Sequence, residues 1–319
     1  MIRKMPRQEP RRSQIFSRRH SKISRPRLAV FSAEKTSLRL PQSEKPLSRL
    51  FRLCGPCGTR FERNYWPCYN HGMGRIIAIG GGELKDLETL AIDRSIVKLA
   101  GKRRPRALFI PTASNDSVGY WNTFQTIYGK KLGCETDVLF LIENTPSRKV
   151  IQQKIFSADI IYVGGGNTLR MLRVWRKYGV DLMLKKAYQK GIILSGLSAG
   201  AIAWFRYGSS DSRCFMKNGK AKPTLMRVSG LNLLPITVSP HHIREKKLRD
   251  PGIKQMMEKT PGIALALDDN AAICIEGDKY KILRSKPDAE IAKVFRMNGK
   301  VKKILFPESG LLADLYRKG

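Results

Sequence analysis

The clearest chemical signal in the sequence is a serine between two glycines. Ser198 lies in Gly196-Leu-Ser-Ala-Gly200, directly after an apolar run and before the helical segment Ala-Ile-Ala-Trp. In this strand-to-helix context a serine is held on a strained turn that exposes its hydroxyl, as a nucleophile requires. The backbone N–H of Ala199, at the helix start, is placed to stabilise an oxyanion. An ordinary glycine-rich turn with a capping serine is the alternative.

A nucleophilic serine needs a general base, most often a histidine. The chain has four histidines, and two of them, His20 and His71, lie in a segment rich in Arg and Ser. The other two, His241 and His242, follow a short apolar strand, where a parallel sheet delivers side chains to its active edge. One of this pair is therefore the predicted base.

The third member of such a triad is a carboxylate that orients the imidazole. Asp211 lies in Gly-Ser-Ser-Asp-Ser, and Asp268 and Asp269 follow a later apolar strand. Asp211 gives the chain order Ser, Asp, His, but an aspartate of this kind also fits a turn or a helix cap. The residues alone do not choose among these carboxylates.

Two glycine clusters follow predicted strands, Gly80–Gly82 and Gly164–Gly166. Neither has the glycine spacing and the later acidic residue of a dinucleotide site, so no cofactor is predicted. A glycine N–H can approach a substrate closely because no Cβ intervenes. We therefore expect Gly165 or Gly166 to supply a second oxyanion donor.

Short apolar runs alternate with helical segments after residue 72, which is typical of a parallel sheet covered by helices. The pattern predicts one α/β domain over residues 73–319, with a doubly wound, mostly parallel sheet, flanking helices and antiparallel edge strands near the C-terminus. Strands are expected at 76–79, 107–110, 137–141, 160–163, 192–195, 237–239, 263–267, 272–276 and 280–283. Helices are expected at 87–100, 120–132, 147–156 and 168–190, the last interrupted near Gly179.

The first 72 residues are rich in Arg, Ser and Pro and show no sustained apolar period. We expect a basic, disordered or loosely packed leader, or sequence upstream of a true start at Met73. This segment contains the pattern C-x2-C-x10-C-x2-H from Cys54 to His71, whose ligand types suit zinc. Its surroundings offer little apolar sequence on which to build a zinc site, so no metal is predicted.

The chain has 319 residues and a formal net charge of +34. This excess is spread along the chain, which argues against nucleic acid as the main partner. No apolar run approaches the roughly 18 residues of a membrane span, and the N-terminus lacks the apolar core of a secretory signal. The six cysteines show no disulfide framework. A cytoplasmic protein without a membrane partner is expected, and a homodimer is left open.

Several sequence blocks together resemble the dipeptidase E and cyanophycinase family of serine peptidases, which look like class I glutamine amidotransferases in fold. The resemblance covers about residues 74–285. The blocks that carry it are Ile79-Gly-Gly-Gly-Glu83, Phe109-Ile-Pro-Thr-Ala113, Tyr162-Val-Gly-Gly-Gly-Asn-Thr168, Gly196-Leu-Ser-Ala-Gly-Ala201, Gly208-Ser-Ser-Asp-Ser212 and Ser239-Pro-His241.

The resemblance implies a role for each site residue. Ser198 would be the nucleophile and His241, which follows the proline, the base. Asp211 would be the acid, with an acidic residue at Asp268 or Asp269 as the alternative orienting group. Gly165 and Ala199 would form the oxyanion hole.

The resemblance also implies a short peptide substrate, with an N-terminal or a β-linked aspartyl residue. The chain reads Ser-Pro-His-His where dipeptidase E has Asn-Pro-His, and Asp-Asp-Asn at 268–270 where that enzyme has a glutamate, so the substrate stays open. An α/β-hydrolase esterase shares G-x-S-x-G, but the V-G-G-G-N-T loop and the short interval from Ser198 to His241 argue against it. A binding or regulatory protein without activity, built on the same scaffold, is the third hypothesis.

Overall fold

The computed structural model describes residues 74–143, 145–213, 224–260 and 262–317. The expected leader, its Cys and His pattern, and Met73 lie outside these ranges. Among the described residues, no helix has the length and apolar character needed to cross a membrane.

In chain order, the strands are β1 Arg75–Ile79, β2 Arg106–Ile110, β3 Glu135–Val138, β4 Ile160–Val163, β5 Ile193–Leu197, β6 Phe205–Ser210, β7 Met226–Ser229, β8 Leu234–Ser239, β9 Ile263–Leu267, β10 Ala271–Glu276, β11 Lys279–Arg284, β12 Ile291–Met297, β13 Lys300–Leu305 and β14 Ser309–Leu311. The α-helices are α1 Leu90–Leu99, α2 Val118–Phe124, α3 Arg148–Ser157, α4 Thr168–Tyr178, α5 Val180–Gln189, α6 Ala199–Trp204, α7 Lys246–Lys259 and α8 Leu312–Tyr316. A 3-10 turn spans Thr112–Ser114, and a π-helical segment spans Gln125–Lys131.

The larger sheet has eight strands in the order β14-β11-β10-β1-β5-β4-β2-β3 within the described residues. Five neighbouring strands, β1, β5, β4, β2 and β3, pair in parallel. The other three, β10, β11 and β14, pair antiparallel and lie on the far side of β1. The parallel strands are apolar on both faces because helices cover both. The predicted doubly wound, mostly parallel sheet with antiparallel edge strands from the C-terminal region is confirmed.

A second sheet departs from the prediction of a single one. Its six strands run β13-β12-β9-β8-β6-β7 in the described part of the chain. The segments 237–239 and 263–267 were expected at the edge of the first sheet, but they belong to β8 and β9 of the second and pair in parallel. Apolar runs show that a segment is a buried strand, but they do not show which strand it pairs with. The strands β6, β7, β12 and β13 were not predicted.

Helix and strand bounds also shift in places. The helix expected at 120–132 is α2 followed by the π-helical segment. The strand expected at 137–141 is β3, which ends at Val138, although Leu139 and Leu141 beyond it are buried. The interruption near Gly179 is confirmed: this residue has φ +70° and lies between α4 and α5, a conformation that glycine adopts without steric cost.

The two sheets meet at the loop that follows β1. Ile79 accepts a hydrogen bond from the N–H of Ser198 at 3.0 Å. In the same loop, Gly80 accepts one from the N–H of His241 at 3.2 Å, and Gly81 accepts one from that of Asn270 at 3.0 Å. The ends of β1 and β5 in the first sheet and of β8 and β9 in the second are thereby brought to one place.

Candidate active site

Ser198 occupies a sharp turn between β5 and α6, with φ 54° and ψ −105°. For a residue other than glycine this backbone conformation costs about 1–3 kcal/mol and persists only where the surroundings impose it. The flanking glycines allow the chain to pack closely enough to do so. A Cβ on Gly196 would overlap the backbone of Gly200, and a Cβ on Gly200 would overlap the carbonyl of Val163. The turn predicted for a serine nucleophile is therefore present.

His241 links Ser198 to a carboxylate. Its Nε2 lies 2.8 Å from Ser198 Oγ, and its Nδ1 lies 2.5 Å from Asp269 Oδ1. The side chains of His241 and Asp269 are 12% and 15% exposed, so solvent weakens these contacts only in part. His241 itself has φ 53°.

The charge state of Asp269 follows from its neighbours. Burial alone would raise the pKa of this carboxyl, but the hydrogen bond from His241 and the positive charges of His241, Arg244 and Arg249 bring the pKa below its ordinary value. Arg244 Nη1 lies 3.1 Å from Asp269 Oδ2. When the imidazole of His241 is neutral, an ionised Asp269 accepts its Nδ1–H, so Nε2 carries the lone pair that can take the serine proton.

Asp211, which the resemblance implied as the acid, lies elsewhere. It follows β6, and the adjacent Ser212 accepts a hydrogen bond from the N–H of Leu169 at the start of α4. In the described part of the chain, no hydrogen bond joins Asp211 to His241, and the carboxylate in contact with the imidazole is Asp269. The reason is topological: β6 directs its end toward α4, whereas the turn after β9 lies beside the loop that carries His241.

Asp268 is buried, at 5% exposed, but it bonds to backbone rather than to the imidazole. Its Oδ1 accepts the N–H of Ile243 at 3.0 Å, and its Oδ2 accepts the N–H of Glu290 at 3.1 Å. Burial raises the pKa of Asp268 to about 6, against the lowering effect of these two bonds. Asp268 therefore ties the loop after β8 to the segment before β12.

His242 points away from Ser198 and toward the second sheet. Its Nε2 lies 2.8 Å from Asp250 Oδ1 on α7 and 2.7 Å from Lys303 Nζ on β13. Burial, and then the positive charge of Lys303, lower the pKa of His242 to about 4. Of the two adjacent histidines, His241 is the one in contact with Ser198.

The second glycine cluster lies beside Ser198. A Cβ on Gly165 would stand 3.3 Å from Leu197 Cδ2 and 3.5 Å from Ser198 Cβ. Gly166 has φ +130°, and a Cβ there would overlap the backbone of Ala113, so this residue shapes the turn. Ala199 is the first residue of α6, and the amides of a first helical turn have no partner inside the helix.

Two residues of the site had not been assigned to it from the sequence. Gly81 lies against both His241 and Asp269, so that a Cβ there would overlap both side chains. Its cluster stands out in the sequence as a failed dinucleotide motif and as part of the block Ile79-Gly-Gly-Gly-Glu83, but neither observation places it beside His241 and Asp269. Arg244, which contacts Asp269, gave no signal at all because one more arginine in so basic a chain does not stand out.

Comparison with known proteins places the chain in a family. A profile of peptidase family S51 matches residues 76–283, about two thirds of the chain. The uncharacterized peptidase YgaJ of Bacillus subtilis (strain 168) is 32% identical over 237 residues, which are 74% of this chain and 98% of that protein. Peptidase E of Actinobacillus pleuropneumoniae serotype 7 (strain AP76) is 22% identical over 221 residues, which are 66% of this chain and 89% of that one.

Solved structures show the same fold. A peptidase from an acI-B1 Actinobacterium superposes with a TM-score of 0.58 at 20% identity, over 76% of this chain and 98% of that chain. A putative peptidase E from Listeria monocytogenes EGD-e gives 0.50 at 23% identity, over 66% and 98%. The chain belongs to peptidase family S51, the dipeptidase E family, and is a serine-type peptidase.

Proposed function

We propose that this peptidase hydrolyses short peptides through a triad of Ser198, His241 and Asp269. The observation that carries the proposal is the unbroken chain of two contacts, 2.8 Å from Ser198 Oγ to His241 Nε2 and 2.5 Å from His241 Nδ1 to Asp269 Oδ1. Both distances are within reach for proton transfer and for orientation of the imidazole. The strained turn at Ser198 supports the same assignment.

The reaction follows from this geometry in two halves. Ser198 Oγ attacks the carbonyl carbon of the scissile bond while His241 Nε2 takes the hydroxyl proton. When the C–N bond breaks, His241 returns that proton to the leaving amine, and the acyl group stays on Ser198 as an ester. A water molecule then attacks the ester with His241 again as base, which releases the acid and restores the hydroxyl. Asp269 stays ionised and stabilises the imidazolium in both halves.

We propose that the N–H groups of Gly165 and Ala199 hold the oxyanion that forms during attack. Gly165 lies against Ser198 without a side chain in between. Ala199 follows the nucleophile directly and opens α6, whose positive end favours negative charge. Removing one such donor costs about 10²–10³-fold in kcat in serine peptidases.

We propose that Arg244 selects peptides with an acidic N-terminal residue, α- or β-linked. Its side chain is 52% exposed, yet Nη1 lies 3.1 Å from Asp269 Oδ2, so the guanidinium reaches the triad from the solvent side. A guanidinium has five N–H donors in a planar fork. Arg244 Nη2 lies 3.9 Å from Glu245 Oε1, beyond hydrogen-bond distance, so the donors that do not face Asp269 can bind a substrate carboxylate.

The experiment compares kcat/KM for Asp-Leu and Asn-Leu, two substrates of nearly the same shape, of which only the first has a side-chain carboxylate. Wild type should prefer Asp-Leu, and Arg244→Gln should reduce that preference by about 10-fold or more, because charge-assisted hydrogen bonds contribute about 1.5–3 kcal/mol. Arg244→Lys retains the charge and should keep part of the preference. Any loss common to both substrates reports on Asp269 instead. A preference that Arg244→Gln leaves unchanged would remove Arg244 from substrate recognition.

A further inference from the structure

The loops that carry the proposed base and acid are joined by a buried side chain. His241 belongs to the loop after β8 and Asp269 to the turn after β9. These loops come from neighbouring strands of the second sheet, whereas Ser198 comes from the first. The catalytic distances therefore depend on what fixes the two loops to each other.

Three contacts join the loops besides the catalytic pair. The N–H of His242 donates to Leu267 O at 3.0 Å, and that of Ile243 donates to Asp268 Oδ1 at 3.0 Å. Arg244 contacts Asp269 from the solvent side. Of the side chains in these three contacts, only that of Asp268 is nearly excluded from solvent, at 5% exposed.

Asp268 also has a second anchor. Its Oδ2 accepts the N–H of Glu290, and its own N–H donates to Glu290 O, both at 3.1 Å. This reciprocal pair fixes the turn after β9 to the segment that leads into β12. One carboxylate thereby holds three segments, and two of them flank the triad.

The backbone of His241 makes this support necessary. With φ 53° it is in a region that a residue with a Cβ seldom adopts, and without restraint the loop would relax to a more populated conformation. Ile243 lies two residues further along. Its amide is one of the points at which the loop is fastened, together with the bond from His241 N–H to Gly80 O.

We infer that Asp268 is a positioning residue, whose bonds to Ile243 and Glu290 keep His241 in line with both Ser198 and Asp269. It acts through the backbone and touches neither the substrate nor the reacting atoms. The inference rests on the proposed function, because it gives Asp268 a purpose in that triad. Its consequence is that loss of the carboxylate impairs the chemical step more than substrate binding.

The test is Asp268→Asn in the full chain. Asn keeps the size but places an NH₂ group against one of the two amide donors. We expect kcat to fall about 10–100-fold with KM changed less than about 3-fold, because small displacements of catalytic groups have effects of this size. The low-field ¹H NMR signal of the His241 Nδ1–H should also shift or broaden. That signal needs no substrate.

The matched control is Asp93→Asn. Asp93 is likewise buried, with a pKa raised to about 6, but it bonds to Thr89 and Tyr128 instead of the catalytic loops. A purely structural role for Asp268 predicts that Asp268→Asn, like Asp93→Asn, keeps kcat and the low-field signal, whatever either substitution does to stability. That result would overturn the inference.

Peptide hydrolysis by the wild type distinguishes a failure of this inference from a failure of the proposed function. If wild type hydrolyses no peptide, the function fails; if it is active and Asp268→Asn matches it in kcat and in the low-field signal, only the positioning role fails. Should Asp268→Asn not fold, amide hydrogen exchange of wild type decides the matter. Slow exchange of the Ile243 and Glu290 amides supports the positioning role, because both amides donate to the Asp268 carboxylate. Exchange as fast as in an open loop overturns it.

Discussion

The Cβ that Gly81 lacks would occupy the space of the Asp269 carboxylate and of the His241 ring. The proposed base and acid therefore both pack directly against the backbone of Gly81. Its carbonyl also accepts the N–H of Asn270, the residue after Asp269, at 3.0 Å. In the first glycine cluster Gly81 packs against His241 and Asp269, whereas in the second Gly165 lies beside Ser198.

Gly81→Ala should inactivate the enzyme while leaving it folded. One methyl group is enough to push Asp269 or His241 out of line, and we expect kcat to fall at least about 100-fold. Peptide hydrolysis and the circular dichroism spectrum, measured on the same preparation, check this.

Gly119→Ala is the matched control. Gly119 lies in α2, and the nearest atom to a Cβ there is Ser117 Oγ at 3.9 Å. Activity should be unchanged, and stability should rise by up to about 0.5–1 kcal/mol, the full advantage that alanine has over glycine inside a helix. Full activity of Gly81→Ala would show that the dyad does not need its observed position.

Asp269→Asn and Asp211→Asn distinguish the two candidate acids. At position 269 the new amide would donate to Nδ1 of His241 and put the imidazole proton on the wrong nitrogen, which costs about 10⁴-fold in kcat in a comparable triad. Asp211 has no contact with His241 among the described residues, so Asp211→Asn should stay within about 3-fold of wild type. Steady-state kcat values decide between them, and the reverse order of effects would restore Asp211 as the acid.

The buried Asp93 should make wild type less stable as pH rises. Burial raises its pKa to about 6 from an ordinary 3.8, although hydrogen bonds from Tyr128 and Thr89 lower it. The folded state therefore holds the proton more tightly than the unfolded state, and stability declines from about pH 4 to pH 6. This contribution is at most about 3 kcal/mol, at 1.36 kcal/mol per pKa unit.

Asp93→Asn removes that titration. Urea unfolding of wild type and variant at pH 4 and pH 7 should show the variant gaining on wild type by up to about 3 kcal/mol over this range. An unchanged difference between the two proteins at both pH values would mean that Asp93 has an ordinary pKa when folded.

Short sequence patterns predicted the parts of the site whose geometry is encoded locally. The turn at Ser198 depends on glycines two residues away, so it could be predicted, and the position of Gly165 just after a strand was likewise readable from the sequence. The choice between Asp211 and Asp269 could not, because it depends on how two loops of the second sheet pack against the end of β1. Arg244 could not be predicted either, because it belongs to the site only through its contact with Asp269, and that contact depends on the same packing.

Serine catalysis is tested most directly by the hydrolysis of a small dipeptide panel by wild type, Ser198→Ala and His241→Ala. The panel contains Asp-X, β-Asp-Arg, Glu-X and neutral N-termini, and each product is quantified by mass spectrometry. We predict cleavage by wild type, fastest for an aspartyl peptide, and loss of at least about 10³-fold in both folded variants. Cleavage that survives Ser198→Ala would contradict the assignment of Ser198 as the nucleophile.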